Sequence, residues 1–304
     1  MYFRTKWDWS FAGDEVTGYA GHALGYGRRV LIGRHTGAAH TDLGLARLGP
    51  GGQVDRHVHA FERCAYVFSG APEVQLDDIW LQLQAGDYVL FPVGKPHAWR
   101  NPGAEEARWL ELSSPQPQTS PASWPDTVFL APVGAGSARR PHPGDPTTPY
   151  VGHYRGVASQ SEALAVRGPA RGRAPAGMDT ALLAYSGITV KMLVDANLGA
   201  DLLTMFMVDY EPGGAAQVHD HPFEEAYLFL EGEIEAEVDG EPMTLAAGDV
   251  LFCGVGVLHG FFNTSSGRVR WVETQAPQPP RRHSYRWPAQ WQELNKRLPR
   301  EGTA

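Results

Sequence analysis

The sequence predicts an all-β chain that contains two tandem copies of one barrel. Short runs rich in β-branched and aromatic residues alternate with glycine and proline turns, and helical periodicity is rare. A set of residues also recurs after 162 positions. At 304 residues the chain is long enough for two domains of ordinary size. Each copy can therefore bury a core of its own.

Strands are predicted from these runs in both halves. In the second half we predict strands at residues 202–210, 226–230, 233–238, 250–253 and 269–273. The dipeptide Asp239-Gly240 between two of them is a strong hairpin signal. The first half has matching runs at residues 65–68, 73–76, 88–91 and 107–112. Both halves therefore have the same order of strands and turns.

The repeat is clearest in three histidines of each half. They keep their order and spacing: His57, His59 and His97, then His219, His221 and His259. The same offset links Gly70 with Gly232, Trp109 with Trp271, Glu111 with Glu273, and Pro115 with Pro277. One position breaks the pattern, because Arg63 in the first half corresponds to Glu225 in the second. Only the second half therefore has a full set of metal ligands.

The segments outside the barrels differ in composition. We place the first barrel with an extended arm at residues 1–118, a Pro/Gly/Arg-rich linker at 119–179, the second barrel at 180–287, and a tail at 288–304. Trp7, Trp9 and Phe11 alternate along the arm, which predicts one apolar face. Apolar residues of the tail fall at helical spacing, so we predict a short C-terminal helix there.

Four residues of the second half form a candidate metal site. Side chains two apart on a strand point the same way, so His219 and His221 face one side, and Glu225 shares their parity. His259 comes from a later strand. Three imidazoles and a carboxylate suit one divalent Fe, Mn, Ni, Cu or Zn ion rather than Ca(II). The alternative is a polar core network without a metal, which would be costly to bury unpaired.

These residues resemble the two sequence motifs of the cupin superfamily. The second half reads Gly213-x5-His219-x-His221-x3-Glu225-x6-Gly232 and Gly248-x5-Gly254-x-Gly256-x2-His259-x3-Asn263. Gly254 departs from the family pattern, which has proline there, as the first half does at Pro92. We expect this change to affect only the stiffness of a turn. The resemblance implies a bicupin, that is, two double-stranded β-helix (jelly-roll) barrels.

The first-half histidines His57, His59 and His97 are a possible second, weaker site. Arg63 brings a permanent cation toward the position of the metal, and Glu62 has the opposite parity and is expected to face outward. Three interpretations remain open: a working metal site, a vestigial pocket, and a pocket in which Arg63 binds an anion.

Inward parity also places candidate catalytic residues beside the second site. These candidates are Tyr227, which could act as an acid, a base or a substrate anchor, and Gln217, which shares its inward parity. The alternative for Tyr227 is a buried tyrosine that hydrogen-bonds to the backbone. Phe229 and Phe261 would line the pocket with aromatic walls, which fits a small organic substrate.

Several reactions are compatible with such a site. The leading hypothesis is a mononuclear non-haem Fe(II) dioxygenase, whose metal has open positions for a small-molecule substrate and O2. The second is a non-oxidative isomerase, lyase or amidohydrolase that uses Mn(II), Ni(II) or Zn(II). The third is a cupin that binds a small ligand without catalysis.

The composition limits the classes of partner and the cellular setting that are expected for this protein. A net charge of −8, a pI near 5.8 and the lack of a dense basic stripe argue against nucleic acid. No apolar run is long enough to span a bilayer. The only two cysteines, Cys64 and Cys253, lie in different halves, which favours a reduced cytoplasmic setting. Exposed barrel edges could pair two chains into a homodimer.

Overall fold

The computed structural model describes residues 1–10, 19–118, 125–134, 136–142, 145–156 and 186–279, together with three positions of the tail, Arg286, Glu293 and Lys296. The described residues between 1 and 279 form β-strands and a 3-10 turn at Arg34–Thr36. The all-β prediction is confirmed. No helix in these ranges is long and apolar enough to cross a membrane.

The described residues of the first half and the linker form eleven strands. Their bounds are β1 (Tyr2–Lys6), β2 (Ala23–Ile32), β3 (Asp42–His59), β4 (Glu62–Ser69), β5 (Glu73–Leu76), β6 (Ile79–Gln82), β7 (Asp87–Phe91), β8 (His97–Arg100), β9 (Ala107–Ser114), β10 (Thr127–Phe129) and β11 (Val151–His153).

Nine strands are formed by the described residues of the second half. Their bounds are β12 (Ile188–Val194), β13 (Thr204–Tyr210), β14 (Ala215–His219), β15 (Glu224–Glu231), β16 (Glu233–Val238), β17 (Glu241–Ala246), β18 (Asp249–Cys253), β19 (His259–Phe262) and β20 (Val269–Ala276).

Each half curls into a barrel with the same strand pairing. The second half has one sheet in the order β1-β18-β15-β20-β13-β12 and another in the order β14-β19-β16-β17. In the first half the long strand β3 takes the places of both β13 and β14, so the sheets join in the order β11-β7-β4-β9-β3-β8-β5-β6. The predicted pair of jelly-roll barrels is confirmed.

Most strands extend beyond the apolar runs that predict them. Strands β5 and β16 have the predicted bounds, whereas β20 continues to Ala276 and buries Glu273, Thr274 and Gln275. It continues because both neighbours, β13 and β15, supply ladder partners along its length. Polar side chains on such a strand can be buried when their groups are satisfied.

Tight turns close the hairpins in matched positions. Gly70 and Gly232 have positive φ angles of 81° and 79°. A Cβ atom at Gly232 would lie 2.4 Å from the carbonyl oxygen of Arg268, so the next strand approaches too closely for any side chain. Glycine is therefore required for both conformation and space.

The N-terminal arm joins the second barrel rather than the first. Strand β1 pairs antiparallel with β18, and the amide of Gly254 donates to the carbonyl of Met1 at 3.1 Å. Proline at position 254 would lack this donor, which gives the departure from the family pattern a physical reason. Farther along the arm, Trp7 stacks on Phe68 of the first barrel with ring centroids 5.9 Å apart. The arm therefore contacts both barrels.

Two linker segments add strands to the first barrel. Strand β10 pairs with β3 beside His57 and His59, and β11 pairs with β7. The linker thus partly wraps this barrel. Phe11 and the predicted C-terminal helix lie outside the described residues, apart from Glu293 and Lys296, whose side chains form an ion pair.

The barrels pack through a shared apolar core and a reciprocal pair of carboxylates. The core includes Ile32 and Leu43 from the first barrel and Val194 and Met205 from the second. The prediction that Glu62 faces outward needs a correction: its side chain points away from its own pocket but is buried against the second barrel. There the Glu62 carboxylate accepts backbone N–H groups of residues 201–203 at 2.9–3.1 Å.

Glu224 makes the mirror-image contact. Its carboxylate accepts the backbone N–H groups of Ala39, His40 and Thr41 at 2.6, 3.0 and 2.9 Å. These positions and residues 201–203 are equivalent in the repeat, so the interface has an approximate two-fold symmetry. Parity places Glu62 outside its own barrel but carries no information about the second barrel that covers it.

We predict that Glu62→Ala or Glu224→Ala destabilises the protein by about 3 kcal/mol, because three backbone N–H donors, one of them in a buried hydrogen bond and two in partly buried ones, lose a charged acceptor. Urea unfolding followed by circular dichroism measures the change. Glu235→Ala is the matched control, since Glu235 is exposed on β16. Unfolding of both interface variants at the same urea concentration as the parent would contradict this role.

Candidate metal centres

Antiparallel pairing brings the histidines of the second barrel together. His219 ends β14, and its partner across the ladder is His259, the first residue of β19. His221 lies in the turn that follows β14, and Glu225 is the second residue of β15. The candidate ligand nitrogens of the three histidines lie within 4.8 Å of one another.

Backbone carbonyls fix the orientation of these three rings. The Nδ1 atoms of His219, His221 and His259 lie 2.8, 2.9 and 2.9 Å from the carbonyl oxygens of Gln217, Phe223 and Val257. A carbonyl can only accept, so each Nδ1 carries a hydrogen, and Nε2 is the ring nitrogen left to face the centre of the site. Such contacts orient histidine ligands in metal sites.

The Glu225 carboxylate completes this arrangement. Its Oε2 atom lies 2.8 Å from His221 Nε2 and 3.3 Å from His259 Nε2, while Oε1 accepts from Gln275 Nε2 at 2.6 Å. The Tyr227 hydroxyl donates to Oε2 and lies 2.9 Å from His259 Nε2. The predicted ligands and Tyr227 therefore meet at one buried point.

Burial and neighbouring charges set the protonation states. Burial lowers the pKa of His219 well below its usual range, which keeps the ring neutral. Burial also acts to raise the pKa of Glu225, but His221 and His259 outweigh it and hold that pKa well below its usual value. Burial and the nearby Glu225 raise the pKa of Glu273. The pair therefore carries one negative charge, on Glu225.

The first barrel forms a second histidine triad of similar geometry. His57, His59 and His97 also place their candidate ligand nitrogens within 4.8 Å of one another. The Nδ1 atoms of His57 and His97 lie 2.6 and 2.9 Å from the carbonyl oxygens of Asp55 and Lys95. His97 Nε2 is buried and has no hydrogen-bond partner among the described residues. An orphaned buried nitrogen facing two other imidazoles fits a metal ion.

Arg63 lies in this pocket and is held by its neighbours. Its Nε donates to Ser113 Oγ at 2.9 Å, and its Nη1 lies 3.5 Å from Glu111 Oε2. Arg28 Nε lies 2.8 Å from the same Glu111 oxygen, and Arg28 also contacts Asp42. Two buried guanidinium groups thus face two carboxylates, so the first pocket lacks the net negative charge of the second.

The structure places the other predicted residues near the second triad with different roles. Gln217 contributes its backbone carbonyl to His219, and its side chain is half-buried. The Phe261 ring lies 5.0 Å from that of Tyr227 and 6.5 Å from that of Phe229. These aromatic rings line the barrel interior around the ligands, as expected.

Sequence reasoning did not assign Gln275 or Tyr19 to a site. Gln275 could have been found from the repeat, because its counterpart is Ser113 and the two contact Glu225 and Arg63 respectively. The two positions therefore change together between the halves. Tyr19 had no such signal, because the residue 162 positions later is an alanine, Ala181, and no motif includes Tyr19.

Comparison with known proteins identifies the family. The Cupin domain model matches residues 44–113 and 206–274, one match in each barrel. SchB of Streptomyces halstedii is 34% identical over 111 residues, which are 35% of this chain and 80% of SchB. The protein is a bicupin of the cupin family. The resemblance in its motifs is thereby confirmed.

Other relatives of the bicupin match over one domain's length. The polyketide synthase CurC of Streptomyces cyaneus is 36% identical over 89 residues, 29% of this chain and 58% of CurC. The HTH-type transcriptional regulator PuuR of Escherichia coli strain K12 is 32% identical over 92 residues, 30% of this chain and 49% of PuuR. The chain therefore covers less than two thirds of either protein.

Solved structures share the fold of the bicupin at low identity. Salicylate 1,2-dioxygenase from Pseudoaminobacter salicylatoxidans superposes with a TM-score of 0.62 at 15% identity, covering 90% of this chain and 81% of that chain. Oxalate decarboxylase from Lactobacillus farciminis has a TM-score of 0.61 at 17% identity, with 95% and 89% covered. This similarity extends over both barrels but shows only a common fold.

Acid should destabilise the metal-free bicupin. Burial lowers the pKa of His57 to about 4, and His59, His97 and His219 shift in the same direction. The unfolded chain takes up these protons near pH 6.5, so stability is greatest above that pH and is lost as pH falls toward 4. His57 alone accounts for about 3 kcal/mol.

The measurement is the free energy of unfolding in urea from pH 7 to pH 4, with chelator present. His57→Gln should flatten the pH dependence, whereas His35→Gln, at an exposed position, should not. An unchanged slope in His57→Gln would show that this ring does not resist protonation.

Proposed function

We propose that the bicupin is a metal-dependent oxygenase, a mononuclear non-haem Fe(II) dioxygenase that acts on a small organic substrate in its second barrel. One observation carries this proposal: His219, His221, His259 and the ionised Glu225 converge at one buried point. Neutral imidazoles and one carboxylate are suitable ligands for Fe(II), and Mn(II), Ni(II), Cu(II) and Zn(II) are the alternatives.

A bound ion of this kind supplies one or two open coordination positions at which a substrate and O2 can react. The protein's residues supply the rest. The Tyr227 hydroxyl, bonded to Glu225 and close to His259, can hold or pass a proton, or anchor a substrate oxygen. Phe229 and Phe261 keep the interior apolar and limit water. We assign Gln217 a role in binding the substrate by hydrogen bonding.

We also propose one tightly bound metal per chain, with weaker binding at His57, His59 and His97. The second site has the net negative charge of Glu225 to offset the ion. In the first site Arg63 replaces this glutamate. Glu111 neutralises the charge of Arg63, so no net negative charge remains to attract an ion. Attraction therefore favours the second site, although both triads have the geometry of a site.

A second candidate function is a non-oxidative lyase, isomerase or amidohydrolase. The fold similarity to oxalate decarboxylase, over 95% of this chain, favours a lyase within this group. The similarity to salicylate 1,2-dioxygenase supports the oxygenase. A third candidate is small-ligand binding without catalysis, and its support is that one relative, PuuR, is named as a transcriptional regulator rather than as an enzyme. A cytoplasmic location and a homodimer remain predictions from the sequence.

The first prediction from this proposal concerns metal content. Glu225→Ala and His219→Ala should each weaken metal binding in the second barrel by more than about 100-fold, because each removes a direct ligand. Elemental analysis after dialysis, together with Co(II) titration, measures both sites. His57→Ala is the matched variant in the first barrel and should leave the tight site intact. Equal, tight occupancy of both barrels in the parent would contradict the proposed asymmetry.

The second prediction concerns oxygen. Turnover by the Fe(II)-loaded protein should consume O2 and stop under strict anaerobiosis, because substrate and O2 are proposed to react side by side. A panel of small acids and phenols is screened with an oxygen electrode, and any substrate found is tested with Fe(II) and with Zn(II). Equal rates in air and without oxygen, with either metal, would eliminate the oxygenase and favour the non-oxidative candidate.

A further inference from the structure

Tyr19 occupies the histidine pocket of the first barrel. It precedes β2, and its side chain is buried. Its ring centroid lies 5.5 Å from that of His57 and 5.6 Å from those of Tyr26 and Phe129. Tyr19 is not part of the 162-residue repeat, yet these ring contacts hold it beside the histidine triad.

The Tyr19 hydroxyl lies close to a nitrogen that faces the triad. Its oxygen is 3.4 Å from His59 Nε2 and accepts a hydrogen bond from Arg63 Nη1 at 3.3 Å. Because Arg63 can only donate, the hydroxyl hydrogen is available to His59 Nε2. The phenol oxygen therefore lies between the Arg63 guanidinium and His59 of the triad.

The second barrel also has an oxygen beside the equivalent histidine. His221 is the counterpart of His59, and the atom beside its Nε2 is Glu225 Oε2, at 2.8 Å. In the first barrel Arg63 replaces the glutamate, and the oxygen beside the equivalent nitrogen comes from Tyr19. One oxygen donor thus accompanies the same histidine in both barrels, although it comes from different parts of the chain.

Arg63 is suited to hold this oxygen rather than to close the pocket. Ser113 and Glu111 fix its guanidinium, and Glu111 balances its charge. A guanidinium fixed in this way stabilises a phenol oxygen that loses its hydrogen to become a ligand, as ligation requires.

We propose that Tyr19 is the fourth ligand of a metal site in the first barrel, with His57, His59 and His97, and that Arg63 is its positioning residue. Three nitrogens and one phenol oxygen suit a borderline transition-metal ion. The proposal concerns the first barrel alone and stands whatever reaction the second barrel performs.

The test uses Cu(II) as the probe in the full-length His219→Ala/Glu225→Ala double variant, which leaves only the first site. A copper-bound phenolate absorbs visible light by charge transfer, and copper bound by imidazoles alone lacks that band. We expect the band to rise to one Cu(II) per chain. Tyr19→Phe should abolish it and weaken Cu(II) binding by at least about 10-fold.

Tyr26→Phe is the matched control, because Tyr26 is a buried neighbour whose hydroxyl contacts Glu111. It should retain the band. Arg63→Gln should reduce the band, and Arg63→Lys, which keeps a cationic donor, should restore most of it. Circular dichroism of each metal-free variant checks the fold, and phenylalanine keeps the ring contacts of Tyr19.

Three outcomes would overturn the proposal: Cu(II) bound without a charge-transfer band, a band that survives Tyr19→Phe, or no Cu(II) binding in the double variant. A band that disappears in Tyr227→Phe instead would assign the phenolate to the second barrel. None of these results depends on oxygen consumption, so failure of the proposed oxygenase activity is distinguishable from failure of this site.

Discussion

One cross-strand pairing determines the position of each candidate centre. His57 faces His97 across the β3–β8 ladder, and His219 faces His259 across β14–β19. This register places two imidazoles opposite each other through the backbone alone, independently of their side-chain rotamers. The third histidine of each triad follows at the end of the first strand or just beyond it. The backbone therefore sets the geometry, and the carbonyl contacts to Nδ1 set the direction of each lone pair.

The two barrels share this frame but differ in charge at one pair of positions. Glu225 with Gln275 gives the second pocket a negative charge, while Arg63 with Ser113 gives the first pocket a guanidinium. Glutamate at position 111 or 273 is common to both, yet it balances a cation in one barrel, whereas burial and the nearby Glu225 raise its pKa well above the usual value in the other. These two residue differences between otherwise equivalent barrels are enough to change the charge of the pocket.

The 162-residue repeat and the alternation of side chains along a strand were sufficient to predict both barrels, both triads and the position of Glu225. These features depend only on local alternation and on fixed spacing. Contacts between distant segments were not predictable in this way. Parity showed that Glu62 points out of its own barrel, but only the packed structure shows what covers it. Tyr19 enters a pocket from a segment with no motif, and strand β1 finds its partner some 250 positions away. Neither of these two contacts has a recognisable pattern in the local sequence.

The pairing of β1 with β18 has a consequence for the order in which the chain can fold. Residues 2–6 leave the ribosome well before their partner, residues 249–253, which is synthesised only after the strands of the first barrel. The first barrel can close during synthesis, whereas the second cannot complete its sheet until residues 2–6 return to it. Until then that segment and the outer edge of β18 are both unpaired, which makes the nascent chain a substrate for chaperones or for strand exchange between neighbouring copies.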